Sequence, residues 1–405
     1  MDTVEYLKSL KSVRDRTTLL LQNPGHLKHF DVNLDKLESV ADLIIKLIAR
    51  DYQNPSDIPP HSRWRHFEAS NEPKSTVDRI GKLVQQWTSQ GIDADERIVK
   101  LIDLFVVGVL VDAGAGNEWK YVNETGVYAR SEGLAIAAFD AFAAGFFSAQ
   151  RHQSVDAQGL AEVTVEKLAI AFQSRPGNSL IGLEGRCLLL QNLGKTLEAS
   201  KYFTINTCYR PGNLLHFLKS STVAVDGHYK VDIKLLWEVV IKGFSGVWPA
   251  TRTKIGGSSL GDAWPCKALQ SIQMERGLSQ ESDFIITFHK LSQWLTYSLM
   301  EPLKLAGIVF LNAHELTGLA EYRNGGLFVD MGVLVLKDKS FESTNTIPRF
   351  NVNHDLIVEW RGLTIPLLDM LAVKVREKLQ MEMSLPQILE AGIDNFENRK
   401  LEGRA

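Results

Sequence analysis

Apolar residues recur every three or four positions through most of the chain, and this spacing restricts the fold more than any other feature. In KLESVADLIIKLIAR, from Lys36, Leu37, Val40, Leu43 or Ile44, and Leu47 share one helical face, and the charged residues lie elsewhere. The same spacing predicts five further helices: LAEVTVEKLAIAFQ from Leu160, LIGLEGRCLLLQNLG stopping at Gly194, VDIKLLWEVVIKGF from Val231, a long helix from Glu281, and another from His354 that Pro366 kinks or interrupts. We therefore predict a mainly α, multi-helix globular fold.

Only one segment favours β structure. GGLFVDMGVLVLKD, from Gly325, is rich in β-branched residues between glycines and predicts a short strand or hairpin. Two linker-like stretches, residues 51–63 and 251–262, do not separate segments of different composition. We therefore expect one α-rich domain over residues 1–405 with a loop-lined central pocket, with a sub-division near residues 245–262 as the alternative.

The charge balance argues against a nucleic-acid partner. The chain has 45 basic and 48 acidic residues, fairly evenly mixed, so its formal net charge is only −3. The most apolar run, from Ile98, contains Lys100, Asp103 and Asp112, and its uninterrupted part is too short to cross a bilayer. We interpret that run as a buried helix and expect no membrane partner.

Cysteine usage and the first residues favour a cytoplasmic location. The three cysteines, Cys187, Cys208 and Cys266, are widely spaced and form no CxxC pattern, which is typical of reduced thiols. The opening segment, MDTVEYLKSLKSVRDR, carries acids early and lacks the basic-then-apolar order of a signal peptide.

The familiar catalytic and cofactor motifs fail. In DAGAGNEWKY, from Asp112, Trp119 stands where the third glycine of a dinucleotide loop belongs, so Gly114 and Gly116 are better explained by a helix end and turn. The histidines show no metal-ligand spacing, and neither a GxSxG elbow nor a P-loop is present. We expect neither a metal nor a cofactor.

Two acidic residues near an apolar helix are candidates for acid–base work. Arg130 and Glu132 stand at the mouth of GLAIAAFDAFAAGFF, although Ser131 as a helix cap and Glu132 in the first turn is an equally good structural explanation. Asp140 follows eight residues later on roughly the same face. A charge in such apolar surroundings is expensive to bury unpaired, so Asp140 should have a partner, structural or catalytic.

Polar residues beside aromatic rings mark three further segments. GDAWP places Asp262 just before Trp264 and Pro265, where the carboxylate serves either as a helix N-cap or as a functional group. EYRNGG contains Tyr322, Arg323 and Asn324, and VEWRGL contains Trp360 and Arg361. Each of these two segments also places an acid two residues before a base, Glu321 before Arg323 and Glu359 before Arg361, and such pairs are usually ordinary ion pairs. The neighbouring rings of Tyr322 and Trp360 would form a pocket wall.

The same segments carry a resemblance that runs in order over nearly the whole chain. LVDAGAGNEWKY, RSEGLAIAAFDAF, LIGLEGR, SLGDAWP, LTGLAEYRNGGLFVDMGVL and VEWRGLTIPLLD together resemble the uracil-catabolism family of fungi and bacteria. GDAWP also resembles an element of the queuosine salvage nucleosidases, helical proteins related in fold to DNA glycosylases, which have an essential aspartate ahead of an aromatic residue and a proline.

The first resemblance implies a role in the route that degrades uracil through a ribosylated intermediate and releases urea, and the second implies a DNA-glycosylase-like fold. Together with the aspartate of GDAWP, they lead to the hypothesis of an N-ribosyl hydrolase that acts on ribosylurea, or its phosphate, and releases urea. Asp262 would stabilise or capture the positive charge that develops on the anomeric carbon, and Glu132 or Asp140 would be the acid–base partner. The expected substrate-binding residues are Arg130, Trp264, Tyr322, Arg323, Asn324, Trp360 and Arg361. Trp264 would exclude water, and the guanidinium groups of Arg323 and Arg361 would anchor sugar hydroxyls or a phosphate.

Two other functional classes remain open from the residues. A non-catalytic protein that binds a uracil-derived metabolite, or organises partner enzymes, needs a pocket but no pair of convergent carboxylates. An amidohydrolase acting on the ureido carbonyl would require a metal or an activated cysteine. The partner in all three cases is small; the oligomeric state is not indicated.

Overall fold

The computed structural model describes residues 2–72, 75–112, 114–248, 251–340 and 349–392. Its fold is mainly α, with short strands, as predicted from the apolar spacing. The helices in chain order are α1 Thr3–Leu7, α2 Leu10–Gln22, α3 Leu37–Asp51, α4 Arg63–Phe67, α5 Arg79–Ser89, α6 Ala94–Leu110, α7 Arg130–Ala143, α8 Ala157–Ala161, α9 Val165–Ala171, α10 Leu183–Ala199, α11 Leu214–Ser220, α12 Ile233–Glu238, α13 Lys267–Glu275, α14 Lys290–Leu305, α15 Tyr322–Asp330, α16 Asp355–Leu379 and α17 Leu385–Gly392.

The strands form small sheets. They are β1 Phe30–Val32, β2 Lys120–Asn123, β3 Gly126–Ala129, β4 Thr204–Ile205, β5 Cys208–Tyr209, β6 Ala224–Val225, β7 His228–Asp232, β8 Lys254–Ile255, β9 Ser258–Ser259, β10 Ala263–Pro265, β11 Ile285–Thr287, β12 Ile308–Leu311 and β13 Leu334–Leu336. The pairs β1–β13, β2–β3, β4–β5, β8–β9 and β10–β11 are antiparallel, and β7 pairs with β6 antiparallel and with β12 in parallel.

The chain divides into two compact units. Unit 1 contains Met1–His61, Ala250–Gln293 and His314–Ala405, and unit 2 contains Ser62–Pro249 and Trp294–Ala313. The expectation of one domain with a central pocket, and of a DNA-glycosylase-like fold, stays a prediction.

Helix α16 organises the core of unit 1. It packs on α2, α3 and α15, and it continues through Pro366 as one helix of 25 residues. Gly362 permits the close approach of α2, because a Cβ atom at this position would lie 2.6 Å from Leu20 Cδ1. A continuous apolar core of buried residues from these helices and from β10 and β11 supports the segment around Asp262.

Helix α6 is the most buried helix of unit 2. Asp93 caps its first turn by accepting a hydrogen bond from the Glu96 amide, and its residues from Leu101 to Leu110 are all buried. The prediction of a buried helix from Ile98 is therefore confirmed. Among the described residues, no helix is at once long and apolar enough to cross a membrane.

Four predictions of secondary structure need correction. The segment from Leu160 is not one helix, since α8 ends at Ala161 and α9 begins at Val165. Gly194 does not stop a helix: α10 runs past it, and a Cβ atom there would lie 2.8 Å from the Ala157 carbonyl oxygen, so the glycine permits α8 to approach. The segment from Glu281 begins with a 3₁₀ turn and the buried strand β11 before α14 starts at Lys290. The segment from Gly325 is first helical, in α15, and only then forms β13.

Candidate functional site

The main chain around Asp262 is fixed by two antiparallel strands. The glycines that precede it, Gly256, Gly257 and Gly261, adopt positive φ angles, and the hairpin β8–β9 brings the chain to Asp262. Strand β10 then pairs with β11, and the carbonyl oxygen of Asp262 accepts hydrogen bonds from the Phe288 and His289 amides at 2.9 and 3.1 Å. The backbone therefore holds this carboxylate in one place.

Four hydrogen bonds converge on the Asp262 side chain. Arg361 donates from Nη1 to Oδ1 at 3.0 Å and from Nη2 to Oδ2 at 2.7 Å, which is a bidentate pair. Trp264 Nε1 donates to Oδ1 at 2.8 Å, and the Lys290 amide donates to Oδ2 at 3.1 Å. The sequence prediction thus named three residues, Asp262, Trp264 and Arg361, that are in direct contact.

Asp262 is ionised throughout the ordinary pH range. Burial alone would raise the pKa of its carboxyl group, but the charge of Arg361 and the hydrogen bonds from Arg361, Trp264 and Lys290 outweigh it and hold the pKa far below the usual value. The side chain is still 21% exposed. It is a permanently charged carboxylate that solvent can reach, and so it is unsuited to donating a proton.

The helix-cap explanation of Asp262 is wrong. Helix α13 begins at Lys267, with Cys266 at the capping position, and β10 separates it from Asp262. The Lys267 amide instead donates to Asp355 Oδ1 at 2.8 Å. The first turn of α13 therefore takes its carboxylate from another part of the chain.

Arg361 is fixed on all sides. Its Nε donates to the Ala320 carbonyl oxygen at 2.9 Å, and its guanidinium group lies 4.0 Å from the centre of the Phe288 ring. The hydrogen bond to Ala320 and the two to Asp262 use three of the five N–H groups of Arg361. Two N–H groups are left for a ligand. Lys290 forms a second ion pair nearby, from Nζ to Glu321 Oε2 at 3.1 Å.

The almost buried ring of Trp264 lies next to the ion pair of Asp262 and Arg361. It is 8% exposed, and the guanidinium group of Arg252 lies 5.3 Å from the ring centre. The indole therefore both donates to Asp262 and limits the access of water to it.

The EYRNGG residues have different environments. Tyr322 is 61% exposed, Arg323 is half-buried, and the buried Asn324 donates from Nδ2 to the Leu319 carbonyl oxygen at 2.7 Å. Asn324 thus supports the turn into α15. That these three residues bind substrate stays a prediction.

Trp360 and Glu359 lie beside Arg361 in sequence but serve the packing of α16. The Trp360 ring stacks on Phe30 with 6.4 Å between centres, and its buried Nε1 has no acceptor among the described residues. Glu359 is fully buried and accepts three hydrogen bonds, from the Lys28, His29 and Phe30 amides. The suggested pair between Glu359 and Arg361 is therefore wrong, and a pocket wall at Trp360 stays a prediction.

The other predicted residues belong to unit 2. Arg130, exposed and with a φ angle of 52°, is the first residue of α7, whose capping position is Ala129. Ser131 is not the cap; its hydroxyl donates to Asp112 Oδ1 at 2.8 Å. Asp112 also pairs with the fully buried Arg63 at 3.0 Å.

Glu132 adds negative charge to the surroundings of Arg63. Burial lowers the pKa of Arg63, and the charges of Asp112 and Glu132 oppose that effect.

Two loop residues of the predicted turn, Gly114 and Gly116, follow Asp112, and Ala113 lies outside the described residues. Gly116 has a φ angle of 85°, so the turn is real, but α6 has already ended at Leu110.

Asp140 has the partners that its apolar surroundings require. Tyr121 Oη and Asn123 Nδ2 donate to its Oδ2 at 3.0 and 2.9 Å, which ties α7 to strand β2. Burial, followed by the charge of Asp140, raises the pKa of Tyr121. The expectation that Asp140 is partnered is confirmed; its pairing with Asp262 in catalysis, like that of Glu132, stays a prediction.

Sequence reasoning missed Lys290, Phe288 and His289, which follow β11 and contact Asp262. His289 is sealed from solvent: its ring Nε2 lies 2.8 Å from the Leu7 carbonyl oxygen, and burial lowers its pKa. The only signal was their position directly after the apolar run of β11.

The structure also bears on the nucleophile and the metal that an amidohydrolase would use. Burial raises the pKa of Cys266 to about 12, so this thiol is protonated and inert. In the described ranges, no group of three or more His, Cys, Asp or Glu side chains is placed to hold a metal ion.

The sequence is similar to known proteins over almost its full length. The family described as Protein of unknown function (DUF1688) matches residues 6–395. The chain is 42% identical to Uracil catabolism protein 4 of Lachancea kluyveri and 39% identical to Protein urg3 of Schizosaccharomyces pombe; each match covers 96% of this chain and 92% of the relative. The chain therefore belongs to the DUF1688 family and to the family of Uracil catabolism protein 4.

Proposed function

We propose that this protein acts in uracil catabolism as an N-ribosyl hydrolase, which cleaves the N-glycosidic bond of ribosylurea or its 5′-phosphate and releases urea. The name of the Lachancea kluyveri relative supports the pathway. The site chemistry supports the reaction class, since cleavage of an N-glycosidic bond places positive charge on the anomeric carbon.

One observation carries the proposal: Asp262 is a charged, rigidly held carboxylate that remains 21% exposed beside a nearly buried indole. A fixed negative charge in a poorly hydrated site stabilises a developing cation without reorganising during the reaction. Trp264 lowers the local dielectric and so strengthens that interaction.

Hydrogen bonding favours an electrostatic role for Asp262 over a nucleophilic one. Each carboxylate oxygen already accepts two hydrogen bonds, and a nucleophile would have to give up part of that stabilisation to form a bond to carbon. The C1–N bond would break, water would add to C1, and a proton would pass to the leaving nitrogen. Arg323 and the two remaining N–H groups of Arg361 would bind sugar hydroxyls or a phosphate.

The test is urea release by the full-length chain supplied with ribosylurea and, separately, with its 5′-phosphate. We expect urea and free ribose, or ribose 5-phosphate, in equal amounts. Asp262→Asn should reduce turnover by about a thousandfold, the order seen when one transition-state contact is removed. Absence of urea from both substrates would overturn the proposed reaction.

A matched control is available on α16. Asp369 pairs with Arg14 at 2.9 Å, also through two N–H groups and also in unit 1. Asp369→Asn removes a comparable ion pair and should leave turnover within about twofold. If Asp262→Asn retains turnover similar to that of Asp369→Asn, the assigned role of Asp262 is wrong.

A second candidate is a non-catalytic metabolite-binding protein, which the complete hydrogen bonding of Asp262 favours. Such a protein would bind ribosylurea in calorimetry and leave it intact. Ammonia in place of urea would instead indicate an amidohydrolase.

A further inference from the structure

A cleft lies in unit 1 between α1, α2 and the turn that follows α13. It has a volume of about 440 Å³, within the range of small-molecule sites. Its lining includes Tyr6, Arg14, Arg16, Thr18 and Arg276, with Asp15 as the acidic residue. The lining therefore contains three arginines and one aspartate.

Arg16 is a buried cation without a carboxylate partner in the described structure. It is 6% exposed, and its Nη1 donates to the carbonyl oxygens of Ser282, Asp283 and Ile285 at 2.8, 3.0 and 2.8 Å. Its buried Nε has no acceptor among the described residues. Tyr6 also contacts this guanidinium, with 5.3 Å between the guanidinium carbon and the ring centre, and carries no charge. Because buried charges are normally paired with an opposite charge, an anion would complete the surroundings of Arg16.

The surrounding charges leave the cleft positive. Lys11 and the Tyr6 hydroxyl both donate to Asp15 Oδ2, so this carboxylate is already compensated. The exposed Arg276 makes only a long hydrogen bond, 3.4 Å, to Gln273 Oε1. Arg276 can therefore turn to a ligand at little cost.

Arg14 also lines the cleft, and its side chain is fixed by hydrogen bonds. Besides its pair with Asp369, it donates from Nη1 to the Glu315 carbonyl oxygen at 2.7 Å and from Nη2 to the Leu316 carbonyl oxygen at 2.8 Å. Arg14 is therefore held in one place by these bonds and is not expected to turn toward a ligand.

We propose that this cleft binds a small phosphate monoester, with the phosphate group on Arg16 and Arg276. Guanidinium groups recognise phosphate oxygens through paired N–H donors, and a doubly charged group compensates two arginines. The volume exceeds that of a lone ion, and the Thr18 hydroxyl has no partner in the described structure and is available for a hydroxyl group of the ligand. This site is independent of the proposed hydrolase reaction.

Binding should also be measurable as stability. Through its three carbonyl contacts, Arg16 holds the segment that enters β11, the strand that pairs with β10 next to Asp262. A ligand that binds only the folded chain raises the melting temperature, and the rise increases with the logarithm of the ligand concentration once this exceeds the Kd.

The experiment is calorimetric titration of the full-length protein with ribose 5-phosphate, inorganic phosphate and ribose. We expect ribose 5-phosphate to bind at least about tenfold more tightly than inorganic phosphate, and ribose not to bind. Equal affinity for the two phosphates would overturn the assignment to a monoester, and binding of ribose would overturn the requirement for an anion.

Three variants locate the site. Arg276→Ala should weaken ribose 5-phosphate binding about tenfold, and Arg16→Lys, which keeps the charge but loses the planar donor set, by at least as much. Arg50→Ala removes an exposed arginine of unit 1 on α3 and should have no effect. Wild-type affinity in both cleft variants, or an equal loss in Arg50→Ala, would overturn the proposal.

Asp262→Asn separates this site from the proposed active site. The ribose 5-phosphate binding that Arg276→Ala weakens should keep its affinity and its rise in melting temperature in Asp262→Asn, whether or not the wild-type protein releases urea. Loss of binding in Asp262→Asn, with wild-type binding in Arg276→Ala, would assign the ligand to the Asp262 site and overturn the cleft.

Discussion

Asp262 of unit 1 and Asp103 of unit 2 each accept four hydrogen bonds from described residues, two of them from one arginine, yet the two side chains differ in their exposure to solvent. Asp262 of unit 1 receives its bonds from Arg361, Trp264 and Lys290. Asp103 of unit 2 receives its bonds from Arg210 and from the Val155 and Gly212 amides. The Asp103 side chain is fully buried, whereas that of Asp262 is 21% exposed.

This difference shows that dense hydrogen bonding does not by itself mark a functional carboxylate. Asp103 joins the middle of α6 to the segment around Gly212 and has no surface to offer a ligand. Asp262 offers a charged surface next to an aromatic ring. Partial exposure, a fixed charge and the adjoining indole of Trp264 together distinguish the candidate site from the buried ion pair of Asp103.

The largest expected effect concerns stability. Asp103→Ala leaves Arg210 and two amides without their acceptor in a buried place and should reduce the free energy of unfolding by about 3–5 kcal/mol. Asp262→Ala should cost less, about 1–3 kcal/mol, because water can solvate part of Arg361. Urea denaturation of both variants measures the two values; an equal or larger loss for Asp262→Ala would remove the contrast.

Substituting the arginine partner of each aspartate compares the two sites by their effect on turnover. Arg361→Lys keeps the charge but loses the paired donors and the bond to the Ala320 carbonyl oxygen, so Asp262 is no longer fixed; turnover of ribosylurea should fall about 10- to 100-fold. Arg210→Lys, assayed at a temperature where it is folded, should stay within about twofold of the wild-type turnover. Equal losses in the two variants would mean that turnover reports only on stability.

Much of the fold could be predicted from apolar spacing, and the failures have local physical reasons. Helix α3 was predicted because its apolar residues form a stripe on one face, and α6 because its residues are apolar on almost all sides. Strand β11 was assigned to a helix because a run of three buried residues has no period that distinguishes strand from helix. The role of Gly194 depends on Ala157, which is distant in sequence.

The sequence predicted several residues of the candidate site but not which of them contact one another. Asp262 and Arg361 are 99 residues apart, and nothing local in the sequence joins them. The local spacing instead suggested Glu359 with Arg361, although residues two apart on a helix point in different directions and do not meet. Lys290 contributes a backbone amide, and the side-chain type carries no signal for that role.

A smaller effect tests the indole next to Asp262. Trp264→Phe keeps most of the ring surface and removes one of the four donors; because Asp262 is partly exposed, water replaces part of the lost bond. The free energy of unfolding should fall by about 1 kcal/mol and turnover by about tenfold. Val155 and Gly212 allow no equivalent change at Asp103, since they donate backbone amides. A loss above about 3 kcal/mol would show that the indole is mainly structural.

The smallest expected effect is the acid dependence of the Asp262 contribution. Because Arg361 and its neighbours hold the pKa of this carboxyl group below the unfolded value near 3.9, its contribution is fully present above that value. It diminishes as the pH falls, since the unfolded chain then takes up a proton that the folded chain does not. The difference in unfolding free energy between the wild type and Asp262→Asn should therefore be constant from pH 7 to pH 5.5 and about 0.7 kcal/mol smaller at pH 3.5. Urea denaturation across this range measures it. A difference that grows as the pH falls would require a raised pKa, and Asp262 would then be a carboxyl group able to donate a proton, as a general acid does.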